Sequence, residues 1–339
     1  MRERLGAALG MVPTPMGDTW CAQKLARFIM AATRLGLFEA LAGGRRTAAE
    51  VAAEAGTDPA ATQRLLGVLV TARYLTFKAG AYALTPMARK WMLKGAATSL
   101  HDNMLFQYLE WKFIEGTEEY VRTGRALDIH SRFTPEEWGI YQRGMRAVAG
   151  INAPEIVKRT PVPSGATALL DIGGSHGYYS VALCRKHSRL RATILDLPQA
   201  VEHARPILEA EKMGDRVQHR AGDVLQTDLG EAQYDAVLIS SLVHHFDEAT
   251  NAALLKRIAR ALRPGGSVSI IDYIRLETPK QGGQVAWLMN LYFALTSQSG
   301  SWSFDDMIRW QIAAGLRPRK SFLFQTLPGS GIQAATKPG

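Results

Sequence analysis

The sequence predicts an α/β protein: a doubly wound sheet preceded by a smaller, mainly helical module. Three observations carry this prediction. From Ala166 onward, short apolar runs alternate with stretches of helical length, the order that builds a parallel sheet with helices on both faces. Leu169-Leu-Asp-Ile-Gly-Gly-Ser-His-Gly177 sets a Gly turn between the first of those runs and a helix. Before Pro161-Val-Pro-Ser-Gly165, which has linker composition, the pattern is nearly all helical.

The chain has 339 residues, enough for two cores. Hydrophobic residues make up 47% and charged residues 21%, as in soluble globular proteins. No run approaches the length of a membrane span, so no membrane partner is expected. Cys21 and Cys184 stand far apart without metal spacing, which speaks against a disulfide framework or a zinc site and fits a reducing cytoplasm. The net charge of +9 is dispersed, with no run of four basic residues. That pattern reads as a solvated surface rather than a nucleic-acid face. Residues 1–18 begin Met-Arg-Glu-Arg and lack a convincing cleavage site, so they read as a mobile tail.

Residues 19–100 form the first domain. Thr19 to Leu41 reads as one helix, with apolar Leu25, Phe28, Ile29, Ala32 and Leu35 at helical spacing and Gly43-Gly44 as a stop. Thr47-Ala-Ala-Glu50 is a capping box that opens a second helix ending at Gly56. Asp58-Pro59 opens a third. Tyr74 to Phe77 and Ala81 to Leu84 are strand-like about a turn at Lys78 to Gly80. Three helices and a hairpin make a winged-helix module. Its third helix carries only Arg64, with Arg73 just after it, which is thin for phosphate neutralisation. Dimerisation is the expected role.

Residues 101–160 form a helical segment with many large side chains, Trp111, Phe113, Trp138, Tyr141 and Met145 among them, suited to core packing and to lining a pocket. Residues 161–339 form the second domain. After the Gly turn and its helix come a strand over Arg191 to Asp196, a helix over Gln199 to Lys212 and a strand over Arg216 to Ala221. A strand follows over Tyr234 to Ser240, then a helix over Asp247 to Leu262 stopped by Arg263-Pro-Gly-Gly266. Ser267 to Tyr273 is a strand, Ser303 to Ala314 a helix, and Phe322 to Phe324 with Gly331 to Thr336 a final strand pair.

Ligands of doubly wound sheets sit beyond the carboxyl ends of the strands. Three of those ends carry an acid here. Asp171 ends the first strand beside Gly173, Gly174 and Gly177. Asp196 ends the second, 23 residues after Gly173, where an acid can accept both hydroxyls of a ribose. Asp223 follows the third, placed to flank an adenine with Val224 against the ring. The glycines do not form Gly-x-Gly-x-x-Gly, and there is no phosphate-binding Gly-x-x-x-x-Gly-Lys-[Ser/Thr]. An adenosine without phosphates fits, and S-adenosylmethionine is the obvious candidate.

Asp-Ile-Gly-Gly-Ser-His-Gly, Leu195-Asp-Leu-Pro198, Gly222-Asp-Val224, Val243-His-His-Phe-Asp-Glu248 and Arg-Pro-Gly-Gly together resemble the small-molecule O-methyltransferases. The resemblance is to the branch with plant caffeic acid and hydroxyindole enzymes and bacterial polyketide ones, and it covers nearly the whole chain. It implies a class I methyltransferase sheet with an antiparallel last strand, and a homodimer formed through the N-terminal domain. It also implies a methyl transfer that leaves S-adenosylhomocysteine, needs no metal and uses an aromatic or polyketide-like acceptor. The implied cofactor site is Asp171, the three glycines, Asp196, Leu197, Asp223, Val224 and Ser240. The family's general base falls at His244 and its orienting acid at Asp272, 28 residues on, where a Glu is usual. The usual Asp beside the base is His245. The position of the family's second Glu is Ser301, which can hydrogen-bond the base but cannot stabilise its charged form as a carboxylate does. Tyr141 and Met145, one turn apart, match the family's aromatic and Met clamps, and Met289, Asn290 and Phe293 complete the implied acceptor pocket. The Ser301 departure keeps open C- or N-methylation, or a non-methylating homologue of decarboxylase or hydroxylase type. A winged-helix regulator that senses a small molecule is a further alternative.

Overall fold

The computed structural model describes residues 13–281 and 283–339. The expected tail over 1–18 lies mostly outside them. The chain divides into two compact units, one ending at Glu110 and one beginning at Trp111.

In the first unit a π-helical turn, Met16–Cys21, runs into α1 (Ala22–Arg34), and α2 is Leu37–Ala40. The single helix expected over 19–41 is thus broken. Gly36, at φ 74, turns the backbone left-handed between the two, while the apolar spacing runs on across the break and hides it from the sequence. α3 (Ala48–Ala55) opens with both halves of the Thr47–Glu50 capping box and closes at Gly56. α4 (Pro59–Thr71) is capped by Asp58, whose carboxylate accepts the Ala61 N–H at 2.7 Å. β1 (Leu75–Lys78) and β2 (Ala81–Leu84) pair antiparallel as the wing, and α5 is Pro86–Trp91. Leu37, Phe38, Leu41, Leu66 and Leu69 fill the core, each contributing about 1.5–3 kcal/mol relative to exposure.

The division falls within α6 (His101–Ile114). The second unit then holds α7 (Thr117–Thr123) and the long α8 (Pro135–Arg159), opened by a Thr134–Glu137 capping box. Its strands are β3 (Ala168–Ile172), β4 (Arg191–Asp196), β5 (Val217–Ala221), β6 (Tyr234–Ser240), β7 (Leu262–Tyr273), β8 (Arg317–Pro318), β9 (Phe322–Leu323) and β10 (Ser330–Thr336). Its remaining helices are α9 (Tyr178–Lys186), α10 (Pro198–Ala210), α11 (Glu248–Ala261), α12 (Gln284–Thr296) and α13 (Phe304–Ala313).

The sheet runs β5-β4-β3-β6-β7-β10-β8, with β9 also on β10. β3 to β7 are parallel, and β10 is antiparallel to β7, from Ser330↔Tyr273 to Thr336↔Ser267. Alternate residues of each strand enter opposite layers. Leu170 and Ile172 pack with Leu254, Leu255 and Ile258 of α11, whereas Leu169 packs with Val181 and Leu183 of α9 and Ile156 of α8.

Three details depart from the sequence reading. Arg263-Pro-Gly-Gly266 does not separate helix from strand but lies inside β7, where Gly265 at φ 75 and a register shift opposite Tyr234 and Ala236 absorb the irregularity. The strand–helix alternation lapses between β5 and β6, which a turn connects. And α12 was not expected as an element, because its Val-Ala-Trp-Leu-Met-Asn-Leu-Tyr-Phe run is apolar almost all round and shows no period.

Candidate active site

Strand order lays the sequence-predicted residues along one edge. Asp223 follows β5, Asp196 ends β4, Asp171 and the Gly turn end β3, Ser240 ends β6 and His244 follows it, with Asp272 near the end of β7.

The turn after β3 is tightly built. The Gly173 N–H donates to the Leu195 carbonyl at 2.8 Å, tying it to the end of β4. A side chain at Gly174 would put its Cβ 2.5 Å from the Asp171 carboxyl carbon, so only glycine leaves that carboxyl its place. Gly177, at φ 72, caps α9 against Ile194. Asp171 is buried. Its Oδ2 accepts the Ser180 hydroxyl at 2.7 Å, and its Oδ1 has no partner among the described residues. Burial pushes its carboxyl up to about 7, against the Ser180 bond and with help from the nearby Asp196 charge.

Asp196 accepts the Ser175 N–H at Oδ2 (2.7 Å) and the Leu197 N–H at Oδ1 (2.8 Å). Burial raises it to about 6, against those two bonds. Leu197 is exposed beside it, and Pro198 starts α10. The Gly222 N–H donates to the Asp196 carbonyl, bringing β5's end alongside. Asp223 caps its own turn by accepting the Leu225 N–H, and Val224 is buried.

After β6 the chain passes Ser241, at φ 52, into a single 3-10 turn, Val243–His245. Buried Asn251 of α11 donates to the carbonyls of Val243 (2.9 Å) and Phe246 (3.0 Å), and the Trp302 indole also donates to Val243 (3.0 Å). The turn is therefore pinned from two sides. It presents His244, buried, with Nδ1 3.0 and 2.9 Å from the two carboxylate oxygens of Asp272. A carboxylate only accepts, so Nδ1–H donates and Nε2 is the nitrogen left to meet an acceptor. The Phe293 ring of α12 stacks on the imidazole, 3.7 Å between centroids. Ser301 does not join them. Its hydroxyl is buried without a partner among the described residues, and its N–H donates instead to Asn290 Oδ1 at 2.9 Å.

Around His244 lies a cluster of rings. His245 is 4.3 Å from it, His130 5.0 Å from His245, and Tyr141, Trp138 and Phe133 lie within 5.2 to 5.5 Å of His130. Burial, then the neighbouring His244, lowers His130 to about 4, and the same two causes hold His245 well below its ordinary value. Both imidazoles are therefore neutral at neutral pH. Met145 is half-buried one turn after Tyr141, and Met289 one turn before Phe293. Among the described residues no group of three or more His, Cys, Asp or Glu could hold a metal ion.

A family model for the O-methyltransferase domain matches residues 106–304, more than half of the chain, and a second, for the O-methyltransferase dimerisation domain, matches 22–94. The chain belongs to the S-adenosylmethionine-dependent O-methyltransferase family. Similar curated proteins include the 3-hydroxy-5-methyl-1-naphthoate 3-O-methyltransferase of Streptomyces sahachiroi, 26% identical over 96% of this chain and 95% of that one. The N,N-dimethyltransferase OxyT of Streptomyces rimosus is 25% identical over 97% of this chain and 100% of its own. Human N-acetylserotonin methyltransferase, solved in complex with the cofactor, superposes with a TM-score of 0.84 over 96% of this chain and 97% of that one. At 19% identity that likeness shows the fold.

In this methyltransferase the sequence reading missed several residues that shape the site. His130 stands in a single short 3-10 turn, Ile129–Arg132, too brief to show a periodic pattern in the sequence. Asn251 and Trp302 act through backbone carbonyls, which no side-chain motif announces. Gln142, fully buried on α8 and bonded to the Ser175 hydroxyl, was hidden between Tyr141 and Met145. No helix among the described residues is long and apolar enough to cross a membrane.

Proposed function

We propose that this chain transfers the methyl group of S-adenosylmethionine to a hydroxyl of an aromatic or polyketide-type small molecule, with His244 as general base oriented by Asp272. The single observation that carries the reading is the buried His244–Asp272 pair with Nε2 left to meet an acceptor. It stands where β6 and β7 end, next along the sheet edge from the Gly turn.

The residues along that edge fit the cofactor. Asp171 offers a buried, unpartnered acceptor oxygen, and the side-chain-free Gly turn keeps the space above it open. Asp196 is anchored by two backbone N–H groups yet keeps lone pairs for ribose hydroxyls. Asp223 and Val224 would flank the adenine, with Leu197 and Ser240 completing the walls. The bound cofactor supplies a methyl group already activated by a sulfonium.

What remains for the protein is placement and proton removal. Holding the acceptor oxygen in line can supply about 7–11 kcal/mol of the barrier. His244 Nε2 takes the hydroxyl proton, a contribution of about 10²- to 10⁴-fold. Asp272 keeps Nδ1 protonated and balances the imidazolium that forms. The neutral His245 and His130 help, because a cation beside His244 would oppose its protonation. Tyr141, Met145, Met289, Asn290 and Phe293, with His130 and Trp138, offer a flat, aromatic-lined surface to the acceptor. The naphthoate enzyme from Streptomyces supports an acceptor of that shape. The dimerisation-domain match supports a homodimer formed through the N-terminal unit.

One further reading has support. OxyT is named for N-methylation, and an amine that arrives unprotonated needs no base, which suits the missing acid at Ser301. One experiment separates the two. Incubate the protein with S-adenosylmethionine and a panel of hydroxynaphthoates, phenols and aryl amines, and locate the new methyl by NMR. Methyl on oxygen, lost in His244→Ala, supports the hydroxyl reading, while methyl on nitrogen overturns it.

A further inference from the structure

Two buried side-chain atoms near the Gly turn have no partner among the described residues: Asp171 Oδ1 and Gln142 Nε2. Gln142 is fully buried on α8, between the clamp residues Tyr141 and Met145. Its Oε1 accepts the Ser175 hydroxyl. Ser175 sits at φ 51, a left-handed position that a non-glycine residue holds only when its surroundings fix it. Here they do. Its N–H donates to Asp196 at 2.7 Å, and its carbonyl accepts from His219 Nε2 at 2.8 Å. Gln142, Ser175 and Asp196 thus form one hydrogen-bonded chain from the acceptor helix to the end of β4.

A buried amide nitrogen without an acceptor is unfavourable by about 1–3 kcal/mol, and such groups are uncommon in native proteins unless a ligand completes them. The strand order says which part of a ligand would do so. On the cofactor reading above, on which this inference rests, the adenine lies at β5 and the ribose at β4. The methyl group must face His244 after β6, so the amino-acid end falls at β3. That end carries an ammonium, which needs an acceptor, and a carboxylate, which needs a donor. Asp171 Oδ1 is an acceptor, and Gln142 Nε2 is a donor.

We propose that Gln142 Nε2 donates a hydrogen bond to the carboxylate of the cofactor's amino-acid end. Gln142 is then a cofactor-binding residue carried by the acceptor helix. Cofactor occupancy satisfies its amide and fixes the side chain between Tyr141 and Met145. The acceptor clamp and the cofactor turn are coupled through one residue, in a chain whose motifs assign it no role.

The test compares two ligands by calorimetric titration: S-adenosylhomocysteine, and 5′-methylthioadenosine, which keeps the nucleoside and sulfur but lacks the amino-acid end. In Gln142→Met the first should weaken about 10- to 100-fold, as for loss of a charge-assisted hydrogen bond, and the second by less than about twofold. Ser175→Ala removes only the tie to the turn and should weaken both ligands alike. Should Gln142→Met fail to fold, Gln142→Glu keeps the oxygen facing Ser175 and sets a negative charge against the carboxylate, so the same selective loss is expected. Equal loss of both ligands in the Gln142 variants, or no loss of either, overturns the proposal. A wild type that binds neither ligand overturns the cofactor reading instead.

Discussion

The rings of His244 and Phe293 lie parallel to within 2°, with their centroids 3.7 Å apart. The same imidazole is held at Nδ1 by both oxygens of Asp272. The carboxylate fixes which nitrogen is protonated, and the stack fixes the plane of the ring. Between them they set the direction of the Nε2 lone pair, the geometric requirement for a general base.

On the proposed mechanism, Phe293 acts through His244 as well as through the acceptor pocket. A stacked ring pair is worth about 0.5–1.5 kcal/mol, so Phe293→Leu should lower kcat by up to about tenfold. S-adenosylhomocysteine affinity, read by calorimetry, should stay within about twofold. A loss of cofactor affinity equal to the loss of kcat would show that the residue only supports the fold.

Asp272→Asn keeps the shape of the pair and removes its charge. The carboxamide can present its NH2 to Nδ1 and favour the wrong tautomer. A fall in kcat of about 10²-fold or more is expected, again with cofactor affinity kept. Steady-state kinetics on the best acceptor, beside a thermal melt to verify folding, checks this.

The two buried carboxyls at the cofactor edge make stability and cofactor binding depend on pH in opposite directions. Asp171 and Asp196 are raised from 3.8 to about 7 and about 6, mainly by burial. A carboxyl raised on folding binds its proton more tightly in the folded state. Its stabilisation is full below 3.8 and is lost as pH climbs through about 6 and about 7. The thermal midpoint of the unliganded protein should therefore rise as pH falls through that window, and less so in Asp171→Asn. On the proposed cofactor site, binding runs the other way, because ribose hydroxyls would favour the ionised Asp196. S-adenosylhomocysteine affinity should fall about tenfold per pH unit below about 6.

Gly177→Ala should lose stability by about 1–3 kcal/mol, because it places a side chain at φ 72 and against Ile194. Chemical denaturation measures this directly.

Phe28 and Leu25 of α1 are each 40% exposed, and Trp20 just before them 57%. If this face carries the homodimer contact, Phe28→Glu should give monomers by sedimentation while leaving the far-UV spectrum unchanged.

Much of this was legible in the sequence, for reasons that differ by element. The capping boxes and Pro-started helices were readable because each is a local contract between residues three apart, as at Thr47–Glu50 and Asp58–Ala61. The sheet was readable because strands buried on both faces have to be continuous apolar runs, as Tyr234 to Ser240 is. Asp171 and Asp196 stood out as acids closing such runs, and Asp223 as one just past the more polar Val217–Ala221 strand. What the sequence hid depends on through-space contact or on missing periodicity. Gly36 breaks a helix whose apolar spacing continues beyond it. α12 is apolar all round. Ser301 could have bonded His244, yet its N–H is taken by Asn290 and its hydroxyl by none of the described residues. The sequence places Phe293 in the pocket lining, and it lies flat on His244, a relationship between residues 49 apart that only the folded sheet brings about.

The most direct measurement is the kcat of His244→Asn on the phenolic acceptor that the wild type methylates fastest, taken with S-adenosylhomocysteine affinity on the same preparation. General-base catalysis predicts a fall in kcat of about 10²-fold or more with affinity within about twofold. A kcat within about threefold of wild type would contradict it and leave the protein to act by placement alone.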